Sequence, residues 1–164
     1  LDFFPAYKSH RKKVRKPIIV KPLKEYLAKN YETLTLPNLE GDDVCGIFAT
    51  RPENVGKVVV LSGDKDLRTI PDEKTANYNF MYQTLVGDLT DNFGGCPKIG
   101  GIKASRILAN KKDLPEMWEA VLAEYKRQEL DENYALTQAR LARILRASDW
   151  DSKKKKPILW SPNA

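Results

Sequence analysis

The sequence predicts an α/β fold in a single unit, and two observations carry that prediction. One is an unbroken apolar run, Val58-Val59-Val60-Leu61, followed at once by acidic residues; the other is a series of amphipathic helical stretches in the second half of the chain. An apolar strand without alternation reads as a buried parallel strand, because both of its faces must lie under helices. At 164 residues and 41% hydrophobic content, the chain is long enough for one domain with a real core, or one domain with a small appendage.

Leu1 to Pro22 is a basic arm broken by Pro5, Pro17 and Pro22, leading into a helix over Leu23–Asn30. Thr33–Leu36 reads as a short strand. Pro37 and Asn38 turn the chain into a helix that begins near Glu40 and repeats Val44, Ile47 and Phe48 at helical spacing. Its acidic first turn suits the helix dipole. Lys57–Ser62 is the buried strand, and Asp64 and Asp66 follow its carboxyl end, where ligands collect in open α/β sheets. Phe80–Gly87 reads as a helix. A glycine-punctuated turn, Phe93 to Gly101, precedes a helix over Ile102–Ala109. Helices over Leu114–Gln128 and Glu132–Arg146 follow, the second with an apolar stripe of Leu136, Leu141, Ile144 and Leu145. The Lys153–Lys156 run and an edge-strand triplet, Ile158-Leu159-Trp160, close the chain.

The net charge of +6 favours an acidic partner. Between Phe3 and Lys24 there is no carboxylate, while Lys8, Arg11, Lys12, Lys13, Arg15, Lys16, Lys21 and Lys24 are cationic. Such a run is either a solvated arm or a surface that releases counterions on binding a phosphate backbone. Cys45 and Cys96 lie in no metal-ligand spacing and read as reduced thiols of a cytosolic protein. No apolar run approaches the roughly 20 residues that cross a bilayer. The expected location is the cytoplasm, and the chain, opening on Leu1 in mid-pattern, reads as a piece of something longer.

Against this basic background stand three acidic clusters: Glu40, Asp42 and Asp43; Asp64 and Asp66; Asp88 and Asp91. Crowded carboxylates repel unless a cation relieves them or some become protonated. Hard cations such as Mg²⁺ or Mn²⁺ take oxygen ligands, and two such ions roughly 4 Å apart activate water and stabilise an in-line displacement at phosphorus. Asp88 and Asp91 would share a face of a helical turn. Each cluster also has a plain reading: helix capping for the first, a turn for the second, solvated helix-end charges for the third. In the glycine turn, Gly94, Gly95, Gly100 and Gly101 let backbone approach phosphate, with Lys98, Lys103 and Arg106 placed to add contacts. As structure alone, the same segment is an αα-hairpin connection.

The order of these motifs resembles the 5′ nuclease superfamily: flap endonucleases, polymerase 5′ nuclease domains and tailed-phage 5′→3′ exonucleases. Leu-Glu-Gly-Asp-Asp (39–43), Ser-Gly-Asp-Lys-Asp-Leu (62–67) and Gly-Asp-Leu-Thr-Asp-Asn (87–92) are similar to three of its acidic signatures. Phe93 to Leu108 resembles its helix-three-turn-helix. Gln138 to Arg146 with Leu159-Trp160-Ser161-Pro162 is closest to podovirus-type phage exonucleases.

The resemblance implies a PIN-like parallel sheet flanked by helices, and a helical part that grips duplex DNA. It divides the chain into a partial nuclease core (1–86, with a gateway arm over 1–24), a helical DNA-binding region (87–150) and a basic tail (151–164). It implies that Glu40, Asp42 and Asp43 serve one metal, and Asp64, Asp66, Asp88 and Asp91 a second, as two Mg²⁺ or Mn²⁺. Lys8 and Arg11 would meet the reacting phosphate, Tyr7 would stack on the terminal nucleotide, and His10 would be a phosphate-side or solvent residue. A K⁺ ion would sit on helix-three-turn-helix carbonyls. The family's amino-terminal strand, with its metal-ligating Asp, is absent, so a separate N-terminal nuclease fragment is an expected partner. The implied activity is 5′→3′ exonuclease or flap endonuclease action on DNA in a phage-infected host cytoplasm, with an RNA–DNA hybrid as a further substrate. The alternatives are a non-catalytic DNA-binding module and a small-molecule phosphohydrolase.

Overall fold

The computed structural model describes residues 4–9, 11, 14–70 and 73–162. His10, Lys12 and Lys13 lie outside the described residues. The α-helices are α1 (Val20–Asn30), α2 (Gly41–Ala49), α3 (Glu73–Val86), α4 (Gly101–Leu108), α5 (Leu114–Arg127) and α6 (Glu132–Ala142), with a short 3₁₀ helix at Lys65–Thr69. Among the described residues the only sheet is an antiparallel pair, β1 (Trp150–Asp151) with β2 (Lys156–Pro157). No helix among them is long and apolar enough to cross a membrane.

The core is helical, and α3 is its axis: it packs against α4, α5, α6 and the 3₁₀ helix. Phe80, Met81 and Leu85 of α3 are buried against Leu108, Val121, Tyr125 and Ala139. Capping sets the helix starts. Asp113 accepts the Glu116 N–H at 3.0 Å with Pro115 in the first turn, and Asp131 accepts the Tyr134 N–H at 2.8 Å. Inside, Tyr125 donates its hydroxyl to the Thr84 carbonyl at 2.6 Å. Trp160 seals the assembly edge-on to Phe80 and Trp118, each ring 5.1 Å away. Burying one such side chain contributes about 1.5–3 kcal/mol.

The predicted parallel sheet is not found among the described residues. Val58–Leu61 follows a run of turns and forms no strand; Val59 is 81% and Leu61 92% exposed. Val59, Val60 and Leu61 donate no backbone hydrogen bond to any described residue. A strand is a pairing, and this segment has the composition but no neighbour to pair with among the described residues. Thr33–Leu36 is likewise irregular, and Ile158–Trp160 is not an edge strand: Ile158 donates to the Asp149 carbonyl beyond the β1–β2 hairpin, and Trp160 goes into the core.

Three helix boundaries also differ from expectation. The first helix starts at Val20, with Pro22 tolerated in its first turn, and α3 starts seven residues before Phe80. The last stops at Ala142 instead of Arg146, because tertiary bonds draw the chain out: Leu145 N–H donates to Asp43 at 3.0 Å and Ala147 N–H to Thr50 Oγ1 at 2.8 Å. Gly46 of α2 lies so close to the Leu145 carbonyl that a Cβ there would collide with it. This seam fixes α2, with its acidic first turn, against the helical core.

Candidate active site

Three chain segments converge where α2, the 3₁₀ helix and the end of α3 meet. A cleft of about 240 Å³ is lined by Glu40, Asp42, Asp43, Asp66 and Asp91, together with Tyr7, Gln83, Arg140 and Arg143. Asp42 and Asp43 lie in the first turn of α2, as the sequence implied. Burial raises both carboxyls, Asp43 to about 6 even though it accepts the Leu145 N–H, and the other acids of the cluster push the same way.

Asp88 and Asp91 are not on a helical turn. Gly87 ends α3 at φ +74°, and residues 88–92 make a turn closed by a bridge between Asp88 and Phe93. Gly95, at φ +64°, abuts Gly87 so closely that neither has room for a Cβ. The two carboxylates therefore diverge. Asp91 faces the cleft, while Asp88, whose side chain is 7% exposed, turns to Lys65.

The basic arm docks on this turn. Lys8 N–H donates to the Asp91 carbonyl at 3.0 Å, Arg11 Nη2 to Asp91 Oδ1 at 2.7 Å, and the Tyr7 hydroxyl to Asp91 Oδ2 at 3.2 Å. Lys8 Nζ bonds Glu40, lies 3.4 Å from Asp91 Oδ2 and sits over the Tyr7 ring. Its pKa is raised: burial opposes the charge, but the bonds to Glu40 and Tyr7 outweigh it.

Sequence reasoning missed Gln83, Arg140 and Arg143, which line the cleft, and Lys65, which reaches its acids from the neighbouring groove. Lys65 Nζ bridges Asp66 Oδ1 at 3.1 Å and Asp88 Oδ2 at 2.9 Å, and Gln83 Nε2 also donates to Asp66 Oδ1, at 2.9 Å. Burial acts to raise Asp88, but Lys65 and the Thr90 N–H overcome it and the carboxyl ends below its usual range. The signal for Lys65 was its position between two acids. Asp64, by contrast, does not line the cleft; it caps the 3₁₀ helix by accepting the Asp66 N–H at 3.0 Å and lines a neighbouring groove.

The glycine turn contributes a separate surface. Gly94, Lys98, Gly100 and Lys103 are exposed around the start of α4 and Arg106 in its last turn, and Gly94 and Gly100 have open space where a Cβ would be. Lys103 Nζ donates to the Lys98 carbonyl at 3.1 Å. Gly95 is buried and gives its N–H to Gln138 Oε1 at 2.9 Å, and Gly101 lies under the Tyr82 hydroxyl. Those two glycines serve internal packing.

Residues 1–92 match the family described as 5'-3' exonuclease, N-terminal resolvase-like domain. The chain belongs to this family. The exodeoxyribonuclease of Enterobacteria phage T3 is 28% identical over 206 residues, covering 98% of this chain and 68% of the phage protein. The exonuclease of Escherichia phage T7 is also 28% identical, over 96% of this chain and 68% of its own length. A 5'-3' exonuclease of Buchnera aphidicola (subsp. Acyrthosiphon pisum) is 33% identical over 66% of this chain and 47% of that protein. The T3 pairing is longer than the 164 residues of this chain, so the phage enzyme has residues inside the matched stretch with no counterpart here. No solved structure matches the chain.

Members of this 5'-3' exonuclease family generally depend on divalent metal. The donor set here fits a hard cation in kind: several carboxylates line one cleft, and ammonium groups bridge acids from different segments where a cation is needed. Among the described residues, however, no group of three or more acidic, histidine or cysteine side chains is gathered closely enough to hold one. Lys8 and Lys65 bond the acids of neighbouring segments instead.

Proposed function

We propose that the chain is a metal-dependent 5′→3′ exodeoxyribonuclease, with flap endonuclease action and RNA–DNA hybrid cleavage as extensions of the same chemistry. The observation that carries this reading is the meeting of acids from three signature segments in one cleft, beside a docked basic arm, in a chain of the 5'-3' exonuclease family. Asp42, Asp43, Asp66 and Asp91, with Glu40, would hold Mg²⁺ or Mn²⁺, and Asp88 would support the Asp66 side; Asp64 would act only by shaping the 3₁₀ helix. Bound there, a pair of such ions supplies an activated water and neutralises charge at phosphorus.

The chain's own residues do the rest. Lys8 and Arg11 bring positive charge to the cleft mouth, where a phosphodiester's developing charge is stabilised. Tyr7, half-buried beside Lys8, would stack on the terminal nucleotide. Phe93 to Leu108 would act as a helix-three-turn-helix, with Gly94, Gly100, Lys98, Lys103 and Arg106 on the phosphates of the duplex behind the cut; K⁺ on its carbonyls would compete with the Lys103 bond to Lys98. The apolar composition of Val58–Leu61 supports a PIN-like sheet as the family core to which this segment would contribute.

A second reading, a DNA-binding module without turnover, has one observation in its favour: lysines fill the positions between the acids. One experiment separates the two. The purified chain is given 5′-labelled duplex and flap DNA with Mg²⁺ or Mn²⁺ against EDTA, beside an Asp42→Asn, Asp66→Asn variant. Metal-dependent release of 5′ fragments, reduced on the order of 10²-fold or more in the variant, is expected. Salt-sensitive binding with no product in either metal would establish the module instead.

A further inference from the structure

We infer that the β1–β2 hairpin is a DNA-contacting element of its own: the ammonium groups of Lys153, Lys154, Lys155 and Lys156 at its tip hold the phosphate backbone of DNA seated at the acid cleft. The inference rests on the reading of the substrate as DNA above, and it holds whether or not the chain turns that DNA over.

The hairpin sets four consecutive lysines in a defined place. Trp150 pairs with Pro157 and Asp151 with Lys156, and Asp151 Oδ1 closes the turn by accepting the Lys153 and Lys154 N–H groups at 3.0 and 2.9 Å. Both ends of the hairpin are tied to the core. Before β1, the Asp149 carboxylate takes the Arg143 guanidinium at 2.8 Å and the Asp149 carbonyl takes the Ile158 N–H at 2.8 Å. Beyond β2, the carbonyl of buried Trp160 accepts from Arg140 Nε at 3.1 Å. Pro157, next to Lys156, and Leu159 line the acid cleft, which puts the lysines beside it.

The charges on this tip are not used inside the protein. All four lysines are exposed. Lys154 Nζ lies 3.8 Å from Asp151 Oδ2, and no carboxylate of the described residues pairs with Lys153, Lys155 or Lys156. Among the cleft acids, Glu40 and Asp91 are bonded to Lys8 and Arg11 of the arm instead. Lys155 adopts φ +52°, a conformation that costs glycine or asparagine less. Four like charges held in one ordered turn repel one another, and a polyanion relieves that repulsion. A solvated charge run would account for the exposure, but not for an ordered turn beside the cleft. Side chains on a fixed stem also lose less freedom on binding than those of a flexible tail.

The test is binding of the full chain to a labelled duplex with a 5′ single-stranded flap, followed by fluorescence anisotropy in EDTA over a series of salt concentrations. Three variants are compared with the wild type. The first carries Lys153→Gln, Lys155→Gln and Lys156→Gln together, and the second changes the same three positions to Arg. The third carries Lys57→Gln, Lys112→Gln and Lys126→Gln, which removes equal charge from exposed positions elsewhere. The hairpin Gln variant should bind about tenfold or more weakly at roughly 0.1 M salt, and the slope of log affinity against log salt should fall by about 2 to 3, close to one per lost phosphate contact. The Arg variant should bind like the wild type, and the distant Gln variant should keep the wild-type slope. In Mg²⁺, the hairpin Gln variant should raise KM for cleavage and leave kcat unaltered. An unchanged slope in the hairpin Gln variant, or an equal loss in the distant one, overturns the inference while leaving the nuclease reading intact. Hairpin-dependent binding with no cleavage in either metal overturns the catalytic reading alone. A wild type that binds no DNA overturns both.

Discussion

The two halves of this molecule obey different rules of stability. From α3 onward the chain builds a packed core in which Tyr125, Gln138 and Trp160 are all buried with partners. Before α3, the chain holds α1, which buries no residue, and the Val58–Leu61 segment, which exposes Val59 and Leu61. Glu40, Asp42, Asp43, Asp64 and Asp66, most of the signature acids, therefore lie in the half with little core of its own. The lesson is that the acid cleft is held in place from outside, by the helical half, through Asp43 to Leu145 and Thr50 to Ala147.

That contrast can be broken at graded cost. Trp160→Ala should have the largest effect, about 3–5 kcal/mol of unfolding free energy, because it empties the space between Phe80 and Trp118; a loss below 1 kcal/mol in denaturant titration would mean the helical half is not one packed core. Gly95→Ala should cost about 2 kcal/mol or more, since its positive φ and its contact with Gly87 leave no room for a methyl group. Thiol labelling compares the halves directly. Cys45 is exposed and should react at once with a maleimide at pH 7, whereas Cys96 is buried and burial pushes its thiol up to about 11. Cys96 should therefore label only at the rate of unfolding, and two labels appearing together would dissolve the distinction. Its titration adds a pH signature: the unfolded thiol ionises first, so stability conferred by Cys96 is present at neutral pH and declines from about pH 9 to 11. Smallest of all should be Val59→Ser with Leu61→Ser, within about 0.5 kcal/mol of the wild type. A loss of 2 kcal/mol there would show that the segment is packed in solution.

Local chemistry made the helices legible and tertiary pairing made the rest illegible. Asp113 and Asp131 announce α5 and α6 because a cap acts within three residues of itself. Val58–Leu61 has the composition of a strand, but a strand needs a partner that composition does not name. Ile144 and Leu145 continue the period of α6, yet Asp43, about a hundred positions away, takes the Leu145 N–H and ends the helix. The acidic clusters could be found because their charges are conspicuous in a basic chain. Their orientation could not: Asp64 and Asp66 look equivalent in sequence, and only the 3₁₀ helix sends one to the cleft and leaves the other as a cap. Lys65 was overlooked because a lysine between aspartates reads as local charge balance.

Asp91 also has a temporal consequence. Its bonds to Tyr7, Lys8 and Arg11 span roughly eighty residues of chain, whereas the turn that presents it is closed locally by Asp88 and Phe93. Contacts of such separation carry a large loop-closure cost and form after local ones. The arm should accordingly dock last in folding and detach first in unfolding, so that the Lys8 amide exchanges with solvent well before those of α3. Opening the mouth of the cleft is then a small fluctuation of a finished protein, with the helical half unchanged beneath it.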